Sequence, residues 1–199
     1  MDSPLRRKHV IFLGSSVTYG SASNGISFAD YIAIRNGCTI TKEAVSGTTL
    51  TDDESLSYIE RLKGIDKSVK ADLFVCQLST NDAAKGKPIG DVLSQDTSTV
   101  SGAIRYISGY VSDVWHCPVV FYTSPRFESE AYGLMVNVLN KIAPDAGITV
   151  IDMWNDEAFN AARKDDYMAD PIHPTEAGYR LWWTPYIEKK LSEIVLILL

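Results

Sequence analysis

The sequence is poor in cysteine. Among 199 residues there are three, Cys38, Cys76 and Cys117, and an odd number at wide spacing makes a poor disulfide framework. Each lies in or beside an apolar, strand-like run, so buried free thiols and a reducing compartment are expected. Histidine is as scarce, with three residues and no clustering, so no metal site and no cofactor is expected. Long apolar runs are missing too. Val10 to Leu13, behind the basic stretch Met1 to Lys8, is too short for a signal-peptide core. The run from Ile194 to Leu199 is too short to span a bilayer. It reads as the last turn of a packed helix, with a contact in a homo-oligomer as the alternative. A cytoplasmic protein with no membrane partner is the expectation. Basic residues are outnumbered 19 to 25, giving a net charge of −6. An acidic surface repels phosphate backbones, which argues against nucleic acid as a partner. Internal repeats, low-complexity tracts and linkers are absent from the sequence, so residues 1–199 read as one domain.

What remains is an ordinary folded composition, 45% apolar and 10% aromatic, long enough to bury a sizeable core. Strand-like runs alternate with helix-period segments. Strands are predicted at Val10 to Leu13, Cys38 to Val45, Leu73 to Leu78, Val119 to Tyr122 and Ile148 to Met153. Between them, Phe28, Tyr31 and Ile32 have helical spacing, as do Leu56, Ile59 and Leu62. A long helical face runs through Val100, Ile104, Ile107, Val111 and Val114, and another through Tyr132, Met135, Leu139 and Ile142. A last helix follows Pro174, with Pro185 set to kink or split it. Ala83 to Asp91 reads as a loop. Strands alternating with helices, and apolar on nearly every residue, imply a parallel sheet covered on both faces. The predicted fold class is α/β: a three-layer α/β/α sandwich around a five-stranded parallel sheet of flavodoxin-like order.

Such sheets bind ligands beyond the C-terminal ends of their strands, so the residues after each strand matter. They are Gly14-Ser15-Ser16-Val17-Thr18, Ser46-Gly47-Thr48-Thr49, Ser79-Thr80-Asn81-Asp82, Thr123-Ser124-Pro125-Arg126 and, after a helical insertion, Asp170-Pro171-Ile172-His173-Pro174. Each has an ordinary explanation. Ser16 suits a helix cap, Gly47 a turn, Asn81-Asp82 a cap or turn, Arg126 a surface charge, and the Asp-Pro-x-His-Pro run a rigid loop. Together they supply what acyl transfer needs. A serine hydroxyl requires a base to take its proton. The imidazole requires a partner on its other nitrogen. The oxyanion requires donors already in place. Ser16, His173 and Asp170 fill the first three roles, and the N–H groups of Ser16 and Gly47 with the Asn81 amide fill the last.

These blocks, in this order, resemble those of the SGNH (GDSL-like) hydrolases. The stretch Ile11 to Thr18 is similar to the family's first block, Val45 to Thr49 to its second, Gln77 to Asp82 to its third and Asp170 to Pro174 to its last. The resemblance spans residues 9 to about 182 and implies the SGNH hydrolase fold. It also implies a triad of Ser16, Asp170 and His173, with an oxyanion hole formed by Ser16, Gly47 and Asn81. Three departures stand out. Ser15 replaces the usual Asp before the serine, Ser79 replaces the usual Gly of the third block, and the Asn often found upstream of the second-block glycine is missing. Ser79 is expected to alter the path that presents Asn81 or to narrow the acyl site.

The expected activity is hydrolysis of a small-molecule ester with a short acyl group, acetyl on a sugar or metabolite first of all. A lysophospholipase or thioesterase type of acylhydrolase is the nearer alternative. An α/β-hydrolase is disfavoured because Thr18 stands where its elbow needs glycine. A phosphate-binding module lacks both the P-loop lysine and Gly-x-Gly-x-x-Gly, and leaves Asp170 and His173 unexplained. A degenerate scaffold is disfavoured by the complete set of polar residues. Arg126 is a candidate contact for an anionic substrate group.

Overall fold

The computed structural model describes residues 3–197. Five parallel strands, β1 (His9–Gly14), β2 (Thr39–Ala44), β3 (Leu73–Gln77), β4 (Val119–Tyr122) and β5 (Ile148–Ile151), form one sheet in the order β2-β1-β3-β4-β5. This is the doubly wound order predicted. The helices are α1 (Ser16–Tyr19), α2 (Phe28–Asn36), α3 (Tyr58–Gly64), α4 (Thr80–Ala84), α5 (Val100–Trp115), α6 (Glu130–Ala146), α7 (Glu157–Ala161), α8 (Glu176–Gly178) and α9 (Thr184–Ile197).

Strand alternation sorts the core into two layers. Ile11 and Leu13 of β1, Phe74 and Cys76 of β3 and Phe121 of β4 face α3, α5 and α6. Val10 and Phe12, Leu73 and Val75, and Val120 and Tyr122 face α2, α7 and α9. Helices therefore cover both faces, and the central strands are apolar except at His9, which begins β1, and Gln77, which ends β3. The edge strand β2, Thr-Ile-Thr-Lys-Glu-Ala, departs from that rule and is only half-buried.

Local chemistry fixes most helix starts. Ser27 and Asp30 cap α2 reciprocally: the Ser27 N–H donates to Asp30 Oδ2 at 2.8 Å and the Ala29 N–H to Ser27 Oγ at 3.3 Å. Thr99 and Ser129 cap α5 and α6 through their side chains. At α3 the cap overrides the hydrophobic spacing. Ser57 accepts the Glu60 N–H at 3.0 Å, so Leu56 lies outside the helix, left-handed and half exposed. Ala83 and Ala84, predicted as loop, complete α4.

At Pro185 the last helical segment is not broken but changes type just before it. Having no N–H and a ring that clashes with the preceding turn, Pro185 follows a π-helical stretch, Tyr179–Trp183, in which the Thr184 N–H reaches back to Tyr179 O. The apolar C-terminal run is less buried than predicted. Val195 packs into the core, but Leu196 and Ile197 are exposed. Leu198 and Leu199 lie outside the described residues, as do Met1 and Asp2. The three cysteines are free. Cys76 and Cys117 are buried and Cys38 is only partly so, because it precedes the edge strand. Among the described residues no helix is long and apolar enough to cross a membrane.

Phe28 locks the first βα unit to the last helix. It meets Tyr122 edge-on at 5.1 Å and Phe12 at 5.7 Å, and lies 5.9 Å from Trp183. Phe28→Ala should cost about 3–5 kcal/mol of stability, read as a shift in the urea midpoint. A loss below about 1 kcal/mol would mean that the site collapses around the deletion and that this ring is not an anchor.

Candidate active site

The strand order brings four of the polar turns to neighbouring positions on one rim. Ser16 is the first residue of α1 and is 6% exposed. Its Oγ lies 2.8 Å from His173 Nε2. His173 Nδ1 lies 2.7 Å from Asp170 Oδ2. The other carboxylate oxygen of Asp170 accepts the N–H groups of Ile172 and His173, both at 2.8 Å. Partial burial pushes the Asp170 carboxyl up, but the Ile172 N–H, the His173 ring and the His173 N–H together outweigh it and hold the group below its usual value. An ionised Asp170 accepts the Nδ1 hydrogen, and this assigns the imidazole the tautomer whose Nε2 lone pair faces Ser16. A hydroxyl so placed can pass its proton to the ring.

The loop that carries Asp170 and His173 is closed at its base. The Ala169 N–H donates to His173 O at 2.8 Å and the Thr175 N–H to Tyr167 O at 3.0 Å, and Met168 pairs with Pro174. Just beyond, the Tyr179 hydroxyl donates to Val17 O at 2.7 Å. That bond ties the far end of the chain to the turn that carries Ser16.

Gly47 and Asn81 stand together on the other side. Asn81 Nδ2 donates to Thr48 O at 2.8 Å, which leaves its second amide hydrogen for a ligand. Among the described residues no acceptor takes the N–H of Ser16 or of Gly47. Gly47 has φ +80° with open space where a Cβ would stand, so its glycine answers a backbone requirement and not a steric one.

Three contributors to this frame escaped the sequence reading. Ser79 neither disrupts the third block nor simply narrows the site: it caps α4. Its Oγ accepts the N–H groups of Asn81 at 3.2 Å and Asp82 at 3.4 Å. A serine before a helix is a known cap signal, but the cap or turn was read at Asn81-Asp82. Asp82 is fully buried and accepts the Leu50 N–H at 2.7 Å and the Thr51 N–H at 3.0 Å, holding the second-block loop against α4. Arg61, also buried, donates to Gly14 O at 2.8 Å, Thr48 Oγ1 at 3.0 Å, Glu43 O at 3.0 Å and Leu56 O at 3.0 Å. It joins the ends of β1 and β2 to the Gly47 turn. Its position in a helical stripe carried no signal of this role.

Arg126 is exposed on the loop after β4, where its backbone N–H donates to Asn160 Oδ1 at 2.8 Å. The structure gives its side chain no contact with Ser16, His173 or Asp170. Among the described residues no group of three or more His, Cys, Asp or Glu side chains could hold a metal ion.

Comparison with known proteins follows the same lines. No curated protein matches the sequence. Solved structures match its fold. A protein from Lactobacillus plantarum has a TM-score of 0.77 at 20% identity, with 96% of this chain and 97% of that chain covered. The lipase/acylhydrolase from Enterococcus faecalis has a TM-score of 0.68 at 17% identity, covering 94% and 96%. A family two carbohydrate esterase from Clostridium thermocellum, solved in complex with cellohexaose, has a TM-score of 0.68 at 16% identity, covering 94% of this chain and 65% of its own. The profile of the GDSL-like lipase/acylhydrolase family matches residues 12–181, and with most of the sequence inside that match the chain belongs to this family.

Proposed function

We propose that the protein is a serine esterase that cleaves small, short-acyl esters through an acyl-enzyme. One observation carries the reading: the unbroken chain from Ser16 Oγ to His173 Nε2 at 2.8 Å and from His173 Nδ1 to Asp170 at 2.7 Å. A phosphate-binding module would have no use for it.

The reaction runs in two steps. His173 takes the Ser16 proton as the hydroxyl attacks the ester carbonyl, and the N–H groups of Ser16 and Gly47 with the free Asn81 amide hydrogen hold the oxyanion. The Nε2 proton then passes to the leaving alcohol as the carbonyl re-forms. Water, deprotonated by the same ring, clears the acyl group and returns the proton to Ser16. Asp170 keeps the ring in its working tautomer and stabilises the imidazolium.

Small residues crowd the strand ends, among them Thr48, Ser79, Thr123 and Ser124, all buried. They support a short acyl group, acetyl first of all, on a sugar or small metabolite. The carbohydrate esterase among the structural neighbours fits that class. Arg126 extends the proposal. Exposed two strands away from Ser16 on the same rim, it meets an anionic group on the part of the substrate that does not react.

Ser16→Ala should lower kcat on a short-chain aryl ester by roughly 10⁴-fold or more with the fold intact by circular dichroism, and undiminished turnover would end the assignment. Asn81→Ala should lose roughly 10²–10³ in kcat; a change confined to KM would instead make Asn81 a ground-state contact. Arg126→Ala should raise KM for anionic esters and leave neutral ones alone, and equal losses on both would exclude charge recognition.

A further inference from the structure

Gln77, the last residue of β3, is fully buried against the turn that carries Ser16. Its Oε1 accepts three hydrogen bonds from that turn: the Ser15 N–H at 3.0 Å, the Thr18 N–H at 3.3 Å and the Thr18 hydroxyl at 2.8 Å. The two backbone N–H groups fix the amide's orientation, because a flipped Gln77 would set its NH2 against both of them. The hydroxyl directions follow. The single Thr18 hydroxyl hydrogen goes to Gln77, so the 2.6 Å contact between Thr18 and Tyr122 runs from the Tyr122 hydroxyl to Thr18 Oγ1.

The first turn of any helix leaves N–H groups without partners. Here Ser15, the residue in the N-cap position, makes no side-chain cap. Gln77 supplies the missing acceptor from another strand. At its other end, Nε2 is buried and has no hydrogen-bond partner among the described residues, although an unpaired buried amide is costly. Only the acceptor oxygen of this side chain is in use. The fit is tight: a Cβ on Gly14 would lie 1.8 Å from Thr18 Oγ1 and 2.8 Å from Gln77 Oε1, so the glycine that opens the first block clears the space for this contact.

We propose that Gln77 is a positioning residue for Ser16, an acceptor that caps α1 from β3 and sets the angle at which the hydroxyl meets His173. The proposal rests on the esterase reading. A nucleophile misplaced by about 1 Å loses up to roughly 10²-fold in rate, and that sets the scale of the test.

Gln77→Met keeps the length and removes the acceptor. Gln77→Glu keeps an acceptor oxygen in either protonation state. On a short-chain aryl ester Gln77→Met should lose about tenfold to a hundredfold in kcat, with KM within about twofold, and its labelling by a fluorophosphonate should slow in parallel. Gln77→Glu should recover to within about threefold of the parent in both readouts. Equal impairment of the two variants would make Gln77 a space-filler, and an unimpaired Gln77→Met would remove its role altogether; either result overturns the proposal. Should Gln77→Met fail to fold, Thr18→Val deletes one of the three donors. Its expected loss is at least about threefold in kcat, and an unchanged kcat overturns the proposal in that case. If the parent itself neither hydrolyses esters nor labels, the esterase reading has failed separately. Hydrogen exchange then decides on Gln77: the Ser15 and Thr18 amides should be protected in the parent and exchange at least about tenfold faster in Gln77→Met, and unchanged protection would refute the cap.

Discussion

The Arg61 guanidinium is the contact on which the site's frame depends. A backbone carbonyl has two lone pairs, and from the ladder Gly14 O takes only the Val45 N–H, at 3.3 Å. Arg61 takes up the carbonyls of Gly14 and Glu43, at the ends of β1 and β2, and reaches across to Thr48 in the same fan of bonds. Its planar fork of five donors reaches four acceptors spread over three segments, one more than the three N–H groups of a lysine could serve. Asp82 works from the opposite side with the opposite charge, collecting the N–H groups of Leu50 and Thr51. Between them the two buried ions pin a loop that is otherwise turn and coil. Neither touches the place where a substrate would sit. The separation between Ser16, Gly47 and Asn81 is nonetheless theirs to set.

Much of the architecture was legible in the sequence, because a parallel sheet covered on both faces writes itself as apolar runs. Val10 to Leu13 and Leu73 to Leu78 could be read this way, and the predicted order β2-β1-β3-β4-β5 followed from the alternation of strand and helix. Edges were harder. β2 carries Lys42 and Glu43 and buries little, so its signal was weak. Leu56 fitted a helical stripe by spacing alone, but the Ser57 cap, a local hydrogen bond, decided where α3 begins. Residues of the candidate site were legible for another reason: they sit at strand ends in an order that few unrelated sequences share. Arg61, Asp82 and Gln77 were not. Their roles come from partners that lie, but for one, between 13 and 62 residues away in sequence, and no periodicity or short spacing encodes such a partner.

The departures from the family pattern have a common character. Ser79 takes the place of a glycine and turns it into a cap, with Oγ serving two amides. Ser15, in place of an aspartate, contributes its backbone N–H, which goes to Gln77, while its buried hydroxyl faces Tyr58. At both positions it is the hydrogen bonding behind the site that differs. The groups proposed to meet a substrate, Ser16, Gly47, Asn81 and His173, are all present.

Asp170 and His173 are joined by two bonds that each span three residues, within a loop closed at its own base. The contact between His173 and Ser16 spans 157 residues. On the proposed reading the acid and the base are therefore a locally built pair, and the fold brings the serine to it. Because that pair lies so late in the sequence, a ribosome-bound chain displays its serine long before it owns a base. If the proposed esterase reading holds, Ser16 gains its base only once the loop held by the Tyr179–Val17 bond is in place.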